Sequence, residues 1–349
     1  MDLLSNYGLF LIKLMTIVVV VFAVVAIIVN ARLRKRCQPA GQLQLMHLSD
    51  EYQQMKEYLQ LAKMKPKVQK VWLKQHKKAK KQKEEAEKHA VKQGIKDKQK
   101  STLYVIDFKG SIDACEVMEL REEISAVLAI AEKGDEVLIR LESPGGIVHG
   151  YGLASSQLQR LRDRGIYVTI SVDKIAASGG YMMACVADRV VAAPFAIIGS
   201  IGVVAQLPNF NRLLKLNNID VELHTAGRYK RTLTLFGKNT EEGREKFQEY
   251  LNETHLLFKD FVHQMRPALD IDKVATGEHW YGRRALALGL IDDIITSDEF
   301  IISHMDLFNV FRVHYARRRK IIDRITHSTG SMVERLLIKW WQHVKMPLL

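Results

Sequence analysis

Two glycine turns, each following a predicted strand, carry the residue types that acyl-transfer chemistry requires. The first reads SPGG and ends at Gly146, and the second reads AASGG, in which Ser178 precedes Gly179. Turns with few side chains let backbone N–H groups approach a substrate closely, and two of them on neighbouring strands could direct those groups at one oxyanion. A serine between small residues at a strand-to-helix turn is exposed for attack on a carbonyl. Taken alone, either turn is also typical of a serine that caps a helix.

A nucleophilic serine needs a general base, and the sequence offers two kinds. No histidine lies between His149 and His224, and neither has an obvious acidic partner, so we expect both at the surface. The alternative base is a lysine, since burial and apolar neighbours lower the pKa of a lysine. Most lysines of this chain are expected to be solvated. Lys230 stands out because it follows a glycine turn within the segment AGRYKRTLTLFG.

The elements that would position these residues alternate along the chain from residue 102. The runs LYVIDF, DEVLIRLE and IYVTISV are predicted strands, and VMELREEISAVLAIAEK and IVHGYGLASSQLQRLRDRG are predicted helices. This alternation predicts an α/β fold with a largely parallel, buried sheet and active-site loops at the strand ends. Residues 190–208 form a further uncharged stretch. Pro194, Gly199 and Gly202 interrupt it, which favours two buried strands with a turn over a membrane span.

Composition and charge narrow the class of protein. Of the 349 residues, 47% are hydrophobic and 26% charged, which is typical of a globular chain. Three cysteines are too few for a disulfide framework, and no Cys/His cluster has zinc-ligand spacing, so no metal is predicted. The net charge of +13 divides into +2 for residues 1–62, +11 for 63–100, −7 for 101–311 and +7 for 312–349. An enzyme acting on nucleic acid more often concentrates basic surface on its folded domain, so no nucleic-acid partner is predicted.

The N-terminus is predicted to be a transmembrane helix. Residues 9–29 are twenty-one residues with Lys13 as the only charge, long enough to cross a hydrocarbon core of about 30 Å. The basic cluster between Arg32 and Arg36 follows this run rather than preceding it, which indicates an uncleaved anchor and not a signal peptide. The positive-inside rule would place the residues after 30 in the cytoplasm.

Two basic segments flank the predicted α/β region. The lysine-rich stretch 63–100 is predicted to be a solvated helical or disordered spacer, with attraction to anionic lipid headgroups as the alternative. In residues 317–341, apolar side chains fall near one helical face with bases around them. This helix could pack on the protein or lie at a membrane interface, with both readings open. The apolar positions are Met332, Leu336, Leu337, Trp340 and Trp341.

Five motifs over residues 100–300 resemble the signal peptide peptidase A family in their order along the chain. They read SPGG, AASGGY, GSIGV, AGRYK and WYGRRALALGLID. The resemblance implies a ClpP/crotonase-like fold, self-association into rings, and cleavage of peptides in or near membranes without a cofactor. Carried over residue by residue, it implies Ser178 as the nucleophile, Lys230 as the general base, and the amides of Gly146 and Gly179 as oxyanion donors.

These inferences predict a membrane-anchored serine endopeptidase of the cell inner membrane. Residues 1–31 would be the anchor, 32–100 a basic helical or disordered linker, 101–300 the ClpP/crotonase-like peptidase domain, and 301–349 a basic amphipathic tail. The expected partners are a peptide or protein substrate, such as a signal peptide or another membrane-proximal polypeptide, together with membrane lipid and further copies of the chain. The family resemblance implies action on the extracytoplasmic face, against the positive-inside rule, so the side of the membrane stays open.

Three other classes of protein compete with this prediction. A crotonase-type acyl-CoA hydratase or isomerase shares the sheet and the two turns, but it would use carboxylates near them and give Ser178 and Lys230 no joint role. A ClpP-like Ser-His-Asp protease is disfavoured because no histidine follows shortly after Ser178. A catalytically inactive membrane scaffold of the same fold is the non-enzyme alternative.

Overall fold

The computed structural model describes residues 41–92 and 100–317, together with the helical pairs 15–16 and 19–20. The strands are β1 (Gly41–His47), β2 (Thr102–Lys109), β3 (Glu136–Glu142), β4 (Tyr167–Val172), β5 (Ile175–Ala177), β6 (Arg189–Ala192), β7 (Ile197–Gly199), β8 (His279–Tyr281), β9 (Asp293–Ile294) and β10 (Asn309–Arg317). The helices are α1 (Leu48–Lys63), α2 (Pro66–Lys92), α3 (Val117–Ile130), α4 (Val148–Asp163), α5 (Gly179–Ala184), α6 (Asn211–Leu216), α7 (Glu241–Met265), α8 (Ile271–Val274), α9 (Gly282–Ala287) and α10 (Ser297–His304).

The larger sheet is the predicted parallel sheet of an α/β fold. Its seven strands are ordered β1-β10-β2-β3-β4-β6-β9, and every neighbouring pair from β10 to β9 is parallel. The central strands are apolar on both faces, as parallel strands covered by helices must be. Ile106 and Ile139 belong to the core on one face, whereas Val105 and Leu138 belong to the core on the other.

Helices cover both faces of this sheet. On one face, α3 and α4 contribute Ile124 and Leu158, which are completely buried among the side chains of β2, β3 and β4. On the other face, α10 contributes Phe300, which packs with Val105 and Leu138. Burial of an apolar side chain of this size contributes roughly 1.5–3 kcal/mol to the free energy of unfolding. The two helical layers therefore stabilise the sheet whose strand ends carry the loops.

A second, smaller sheet holds the segment that leads to Ser178. Strand β5 pairs parallel with β7, and β7 pairs antiparallel with β8. The uncharged stretch 190–208 therefore contains β6 and β7, joined through Pro194, as the interrupted pattern predicts. The described residues thus form an α/β fold, with a larger sheet that is parallel from β10 to β9 and a smaller mixed sheet.

The predicted linker and tail both contribute regular structure. Helices α1 and α2 occupy most of the linker, and the amide of Gln69 donates to the carbonyls of Leu61 and Met64, which fixes the turn between them. Beyond residue 300, β10 pairs with β2 over residues 309–313 and buries Val310 and Val313. The sheet thus continues past the boundary predicted at residue 300. The amphipathic segment predicted within 317–341 lies outside the described residues, apart from Arg317.

The contacts divide the chain into two units. One comprises residues 45–314, and of the other the structure describes residues 41–44, 315–317 and the two helical pairs. Within the second unit, the N–H of Gly41 donates to the hydroxyl of Tyr315 at 3.1 Å. No helix formed by the described residues is both long enough and apolar enough to span a membrane. Most of the anchor predicted at 9–29 lies outside those residues.

Candidate active site

Ser178 sits in a strained turn between β5 and α5. Its backbone has φ 52° and ψ −117°, a conformation that residues with a side chain rarely adopt. Two hydrogen bonds hold the turn, since the N–H of Ser178 donates to the carbonyl of Gly199 at 2.8 Å and its carbonyl accepts from Met182 at 2.9 Å. A serine raised on a sharp strand-to-helix turn is typical of catalytic nucleophiles, and strain of this kind concentrates at functional sites.

Backbone pairing joins this turn to the SPGG turn. The N–H of Ser143 donates to the carbonyl of Ile175 at 2.8 Å, and the N–H of Ala177 donates to the carbonyl of Ser143 at 3.0 Å. Because Ser143 opens the first turn and Ala177 immediately precedes Ser178, the two turns are held side by side. The neighbouring placement predicted from the sequence is therefore present.

The glycines of both turns are required by the close approach of neighbouring atoms. Gly145 has φ +89°, and a Cβ there would lie 2.7 Å from the Cβ of Ser178. A Cβ on Gly146 would collide with the carbonyl of Ile112, and one on Gly179 would enter the ring of Tyr151. The backbone beside the Ser178 hydroxyl is consequently bare of side chains.

Two amides at this point have no hydrogen-bond partner among the residues that the structure describes. Gly146 is an exposed residue, and within the residues that the structure describes no hydrogen bond uses its N–H. Gly179 is the first residue of α5, where an N–H has no acceptor inside the helix. Both glycines line the same cleft as Ser178. The structure therefore brings together three of the four predicted site residues.

The cleft itself is small and mainly apolar. Helix α7 contributes Phe258, which is 4% exposed, and α5 contributes Met182, which is 8% exposed. Among the described residues that line it, none carries a carboxylate. The lining residues are Gly146, Val148, Ser178, Gly179, Met182, Gly202, Val203, Thr254 and Phe258.

Lys230 lies in a different environment from the other three. It belongs to the mostly irregular segment 200–240, its side chain is exposed, and its backbone N–H donates to the carbonyl of Gly227 at 3.1 Å. Among the described residues, no hydrogen bond joins Lys230 to Ser178, and Lys230 does not line the cleft. The structure does not bring these two residues together, and the role of Lys230 as the base remains a prediction.

The two histidines considered as alternative bases lie at the surface, as predicted. His149 is exposed, and neither histidine lines the cleft. His224 has an acidic neighbour that the sequence reasoning overlooked, because its Nε2 lies 3.2 Å from Oε2 of Glu222. Both side chains of that pair are more than four-fifths exposed, at 88% and 82%, so water screens the interaction.

Sequence reasoning also missed Tyr151, one turn into α4 and completely buried. Its hydroxyl lies 2.6 Å from the Oγ of Ser143 and donates to the carbonyl of Ser111 at 2.8 Å. Burial raises the pKa of Tyr151 beyond its usual range, although its hydrogen bond to Ser143 opposes this, so the phenol stays neutral at physiological pH. The sequence does place this tyrosine on the buried face of α4. However, apolar periodicity predicts only that the ring packs in the core and does not predict hydrogen bonds of its hydroxyl.

No group of histidine, cysteine or acidic side chains in the described ranges could hold a metal ion. A raised serine beside a glycine turn with unpartnered amides is instead the arrangement that serine hydrolases on α/β sheets use for acyl transfer. That is the class of protein which the fold and the cleft define.

Comparison with known proteins gives the family. The model described as peptidase family S49 N-terminal matches residues 2–158, and the model described as peptidase family S49 matches residues 160–311. The chain belongs to peptidase family S49, and it is a serine-type peptidase.

Curated relatives extend over almost the whole chain. It is 51% identical over 325 residues to the probable protease SohB of Haemophilus influenzae, covering 93% of this chain and 92% of that protein. It is 49% identical over 347 residues to the probable protease SohB of Buchnera aphidicola subsp. Schizaphis graminum, covering 99% and 100%. The resemblance inferred from the five motifs is thus confirmed.

Among solved structures, the chain resembles a 1510-N membrane-bound stomatin-specific protease in complex with a substrate peptide. The TM-score is 0.43 and the sequence identity 16%, with 65% of this chain and 99% of that chain covered.

Proposed function

We propose that this peptidase is a membrane-anchored endopeptidase in which Ser178 is the nucleophile and Lys230 the general base. The observation that carries the proposal is the strained turn at Ser178, beside which the amides of Gly146 and Gly179 have no acceptor in the described part of the chain. The proposed fold is the ClpP/crotonase-like variant of the α/β class.

The proposed reaction begins when the Oγ of Ser178 attacks the scissile carbonyl and its proton passes to the neutral amine of Lys230. The carbonyl oxygen becomes an oxyanion that accepts hydrogen bonds from Gly146 and Gly179. As the peptide bond breaks, the Lys230 ammonium gives its proton to the departing amine, which leaves an acyl-enzyme. Water then attacks the ester with Lys230 again taking the proton, and Ser178 regains it as the acid product leaves.

Two observations support a lysine as the base. No histidine lines the cleft among the described residues. The segment that carries Lys230 also exposes large apolar side chains, including Val204 at 91% and Leu216 at 82% exposure. Packing this segment against other protein surface would bury apolar area and desolvate the nearby charge, and desolvation favours the neutral form of a lysine.

The same apolar surface supports the proposal that the chain self-associates. Where exposed apolar side chains form a contiguous patch, the patch marks an interaction site. Helix α7 adds Leu256 and Leu257, at 57% and 65% exposure. We place the self-association surface on these two segments, with a ring of copies as the proposed assembly.

Membrane attachment is proposed from residues 9–29, whose length and apolarity suit a single span of the inner membrane. An anchored enzyme meets membrane-proximal polypeptides at high effective concentration. The apolar walls formed by Met182 and Phe258 suit an apolar side chain next to the scissile bond. Signal peptides and other membrane-proximal segments are therefore the proposed substrates, with no cofactor and no nucleic-acid partner.

Peptide hydrolysis by the full chain in detergent tests this proposal. An apolar peptide should be cleaved internally by the natural protein and left intact by Ser178→Ala, while circular dichroism and thermal unfolding stay unchanged. Cleavage by Ser178→Ala would refute the assignment of the nucleophile. Absence of cleavage by both proteins, across a panel of apolar peptides, would favour the inactive scaffold.

A further inference from the structure

A chain of buried hydrogen bonds lies directly beneath the two glycine turns and takes no part in the proposed reaction. The N–H of Gly145 donates to the Oγ of Ser143 at 3.1 Å, the Oγ of Ser143 lies 2.6 Å from the hydroxyl of Tyr151, and that hydroxyl donates to the carbonyl of Ser111 at 2.8 Å. Ser143 and Tyr151 are both completely buried. Because these groups are buried, the loss of any of these hydrogen bonds would lower the free energy of unfolding.

The hydrogen bonds of this series all run in one direction. A backbone N–H can only donate and a carbonyl can only accept, so the two ends fix the direction of the bonds between them. Ser143 therefore accepts from Gly145 and donates to Tyr151, and Tyr151 donates onward to Ser111. The phenol must keep its proton for this arrangement, and burial keeps Tyr151 neutral by raising its pKa.

Both predicted oxyanion donors lie against the residues of this hydrogen-bond series. A Cβ on Gly179 would enter the Tyr151 ring, so the ring packs directly on the peptide that follows Ser178. Gly146 is backed by the carbonyl of Ile112, which accepts from the N–H of Ile147 at 2.8 Å. Ile112 follows Ser111, whose carbonyl accepts the hydrogen bond from the Tyr151 hydroxyl. Tyr151 therefore contacts the peptide of Gly179 directly and supports, through Ser111, the segment that packs against Gly146.

We propose that Tyr151 and Ser143 are positioning residues that hold the amides of Gly146 and Gly179 in the geometry that binds the oxyanion. This inference rests on the proposed function for the role of the two amides. Neither side chain contacts a reacting atom. Their contribution appears when the oxyanion forms, so their loss lowers kcat and leaves KM nearly unchanged.

The test compares Tyr151→Phe with Tyr181→Phe in the full chain. Tyr181 is a matched control because it is also completely buried and its hydroxyl also donates to a backbone carbonyl, that of Leu290, at 2.9 Å. Each substitution removes one hydroxyl oxygen, with the loss of two hydrogen bonds at Tyr151 and of one at Tyr181, so both should lower the midpoint of thermal unfolding. Only Tyr151→Phe should lower kcat, by roughly 10-fold, because displacing an oxyanion donor costs less than the roughly 100- to 1000-fold of removing one. KM should stay within about 2-fold of the natural value.

A peptide boronic acid supplies an independent readout, because its tetrahedral adduct with a serine places an oxygen where the oxyanion forms. Its inhibition constant should rise in Tyr151→Phe by about the factor that kcat falls. Ser143→Ala removes the acceptor of Gly145 and should reproduce the effect. The double variant should lose no more than the larger single loss, since both act through one chain of bonds.

Equal kcat for Tyr151→Phe and Tyr181→Phe would overturn the inference, as would a raised KM with unchanged kcat. If Tyr151→Phe does not fold, Ser143→Ala with a natural kcat and a natural boronate affinity would overturn it as well. These outcomes differ from failure of the proposed function, in which the natural protein itself cleaves no peptide or reacts at a residue other than Ser178.

Discussion

The carbonyl of Ser143 accepts a hydrogen bond from the N–H of Ala177 at 3.0 Å, which joins the SPGG turn to the residue just before Ser178. The nucleophile turn and the facing glycine turn consequently behave as one rigid piece. Since electrostatic stabilisation of an oxyanion depends on donors fixed before the reaction begins, this backbone bond is central to the proposed catalysis.

Substitution of Gly146 tests the glycine turn as an oxyanion donor. Gly146→Ala must displace the backbone, because the new Cβ would collide with the carbonyl of Ile112. We expect kcat to fall by about 100-fold or more. Gly152→Ala is the matched control in α4, where a Cβ meets nothing within 4 Å, and it should keep full activity and gain up to about 1 kcal/mol in free energy of unfolding. Full activity in Gly146→Ala would contradict the assignment.

The pH dependence of kcat/KM distinguishes a lysine base from a histidine base. A lysine must lose its proton before it can accept one from Ser178, so activity should rise with pH. The rise should disappear from the residual rate of Lys230→Ala. A profile governed by a group near pH 6.5, unchanged in Lys230→Ala, would implicate His149 or His224 instead.

Acid sensitivity of the fold should depend on the pair formed by Arg266 and Asp292, whose Nη2 and Oδ1 atoms are 2.6 Å apart. Although burial by itself favours the neutral acid, the hydrogen bonds from Arg266 and from the N–H of Val190 hold the pKa of Asp292 below its usual range. Its ionised form therefore contributes stability above about pH 4, and this contribution is lost as the pH falls through the lowered pKa.

Arg266→Met should accordingly lower the free energy of unfolding by roughly 1–3 kcal/mol at pH 7, with a smaller difference near pH 2. Denaturant unfolding at the two pH values measures this. An equal loss of unfolding free energy at both pH values would show that Arg266 acts by packing alone. Arg244→Met is the exposed control, because Arg244 pairs with Glu241 on the surface of α7.

Much of this architecture could be predicted from the sequence because its signals are local. The apolar runs of β2, β3 and β4 and the amphipathic periods of α3 and α4 indicated an α/β sheet, and glycines beside a serine indicated a strand-to-helix turn, although not its strained backbone. The hydrogen-bond chain through Tyr151 could not be predicted in this way, because it joins Ser111 to Tyr151 across forty positions of sequence. The pairing of β10 with β2 was missed for the same reason. Lys230 lies in an irregular segment, where no periodicity indicates which surface it faces.

Attachment to the membrane, and the side on which the enzyme acts, can be measured in cells. If residues 9–29 span the membrane, the full chain should resist extraction from membranes by alkaline carbonate, and a chain lacking residues 1–30 should be released. Proteolysis from outside spheroplasts then reports the side: digestion supports the extracytoplasmic face that the family resemblance implies, and protection supports the cytoplasmic face given by the positive-inside rule. Release of the full chain by carbonate would contradict the proposed anchor.

The central claim is that Ser178 is activated by Lys230, and labelling with a serine-directed fluorophosphonate tests it most directly. Mass spectrometry should locate the adduct on Ser178 in the natural protein. Lys230→Arg should remain unlabelled with an unchanged thermal unfolding curve, because arginine keeps the positive charge but cannot become a neutral base. Labelling of Ser178 in Lys230→Arg at the natural rate, or an adduct on another serine in the natural protein, would contradict the account.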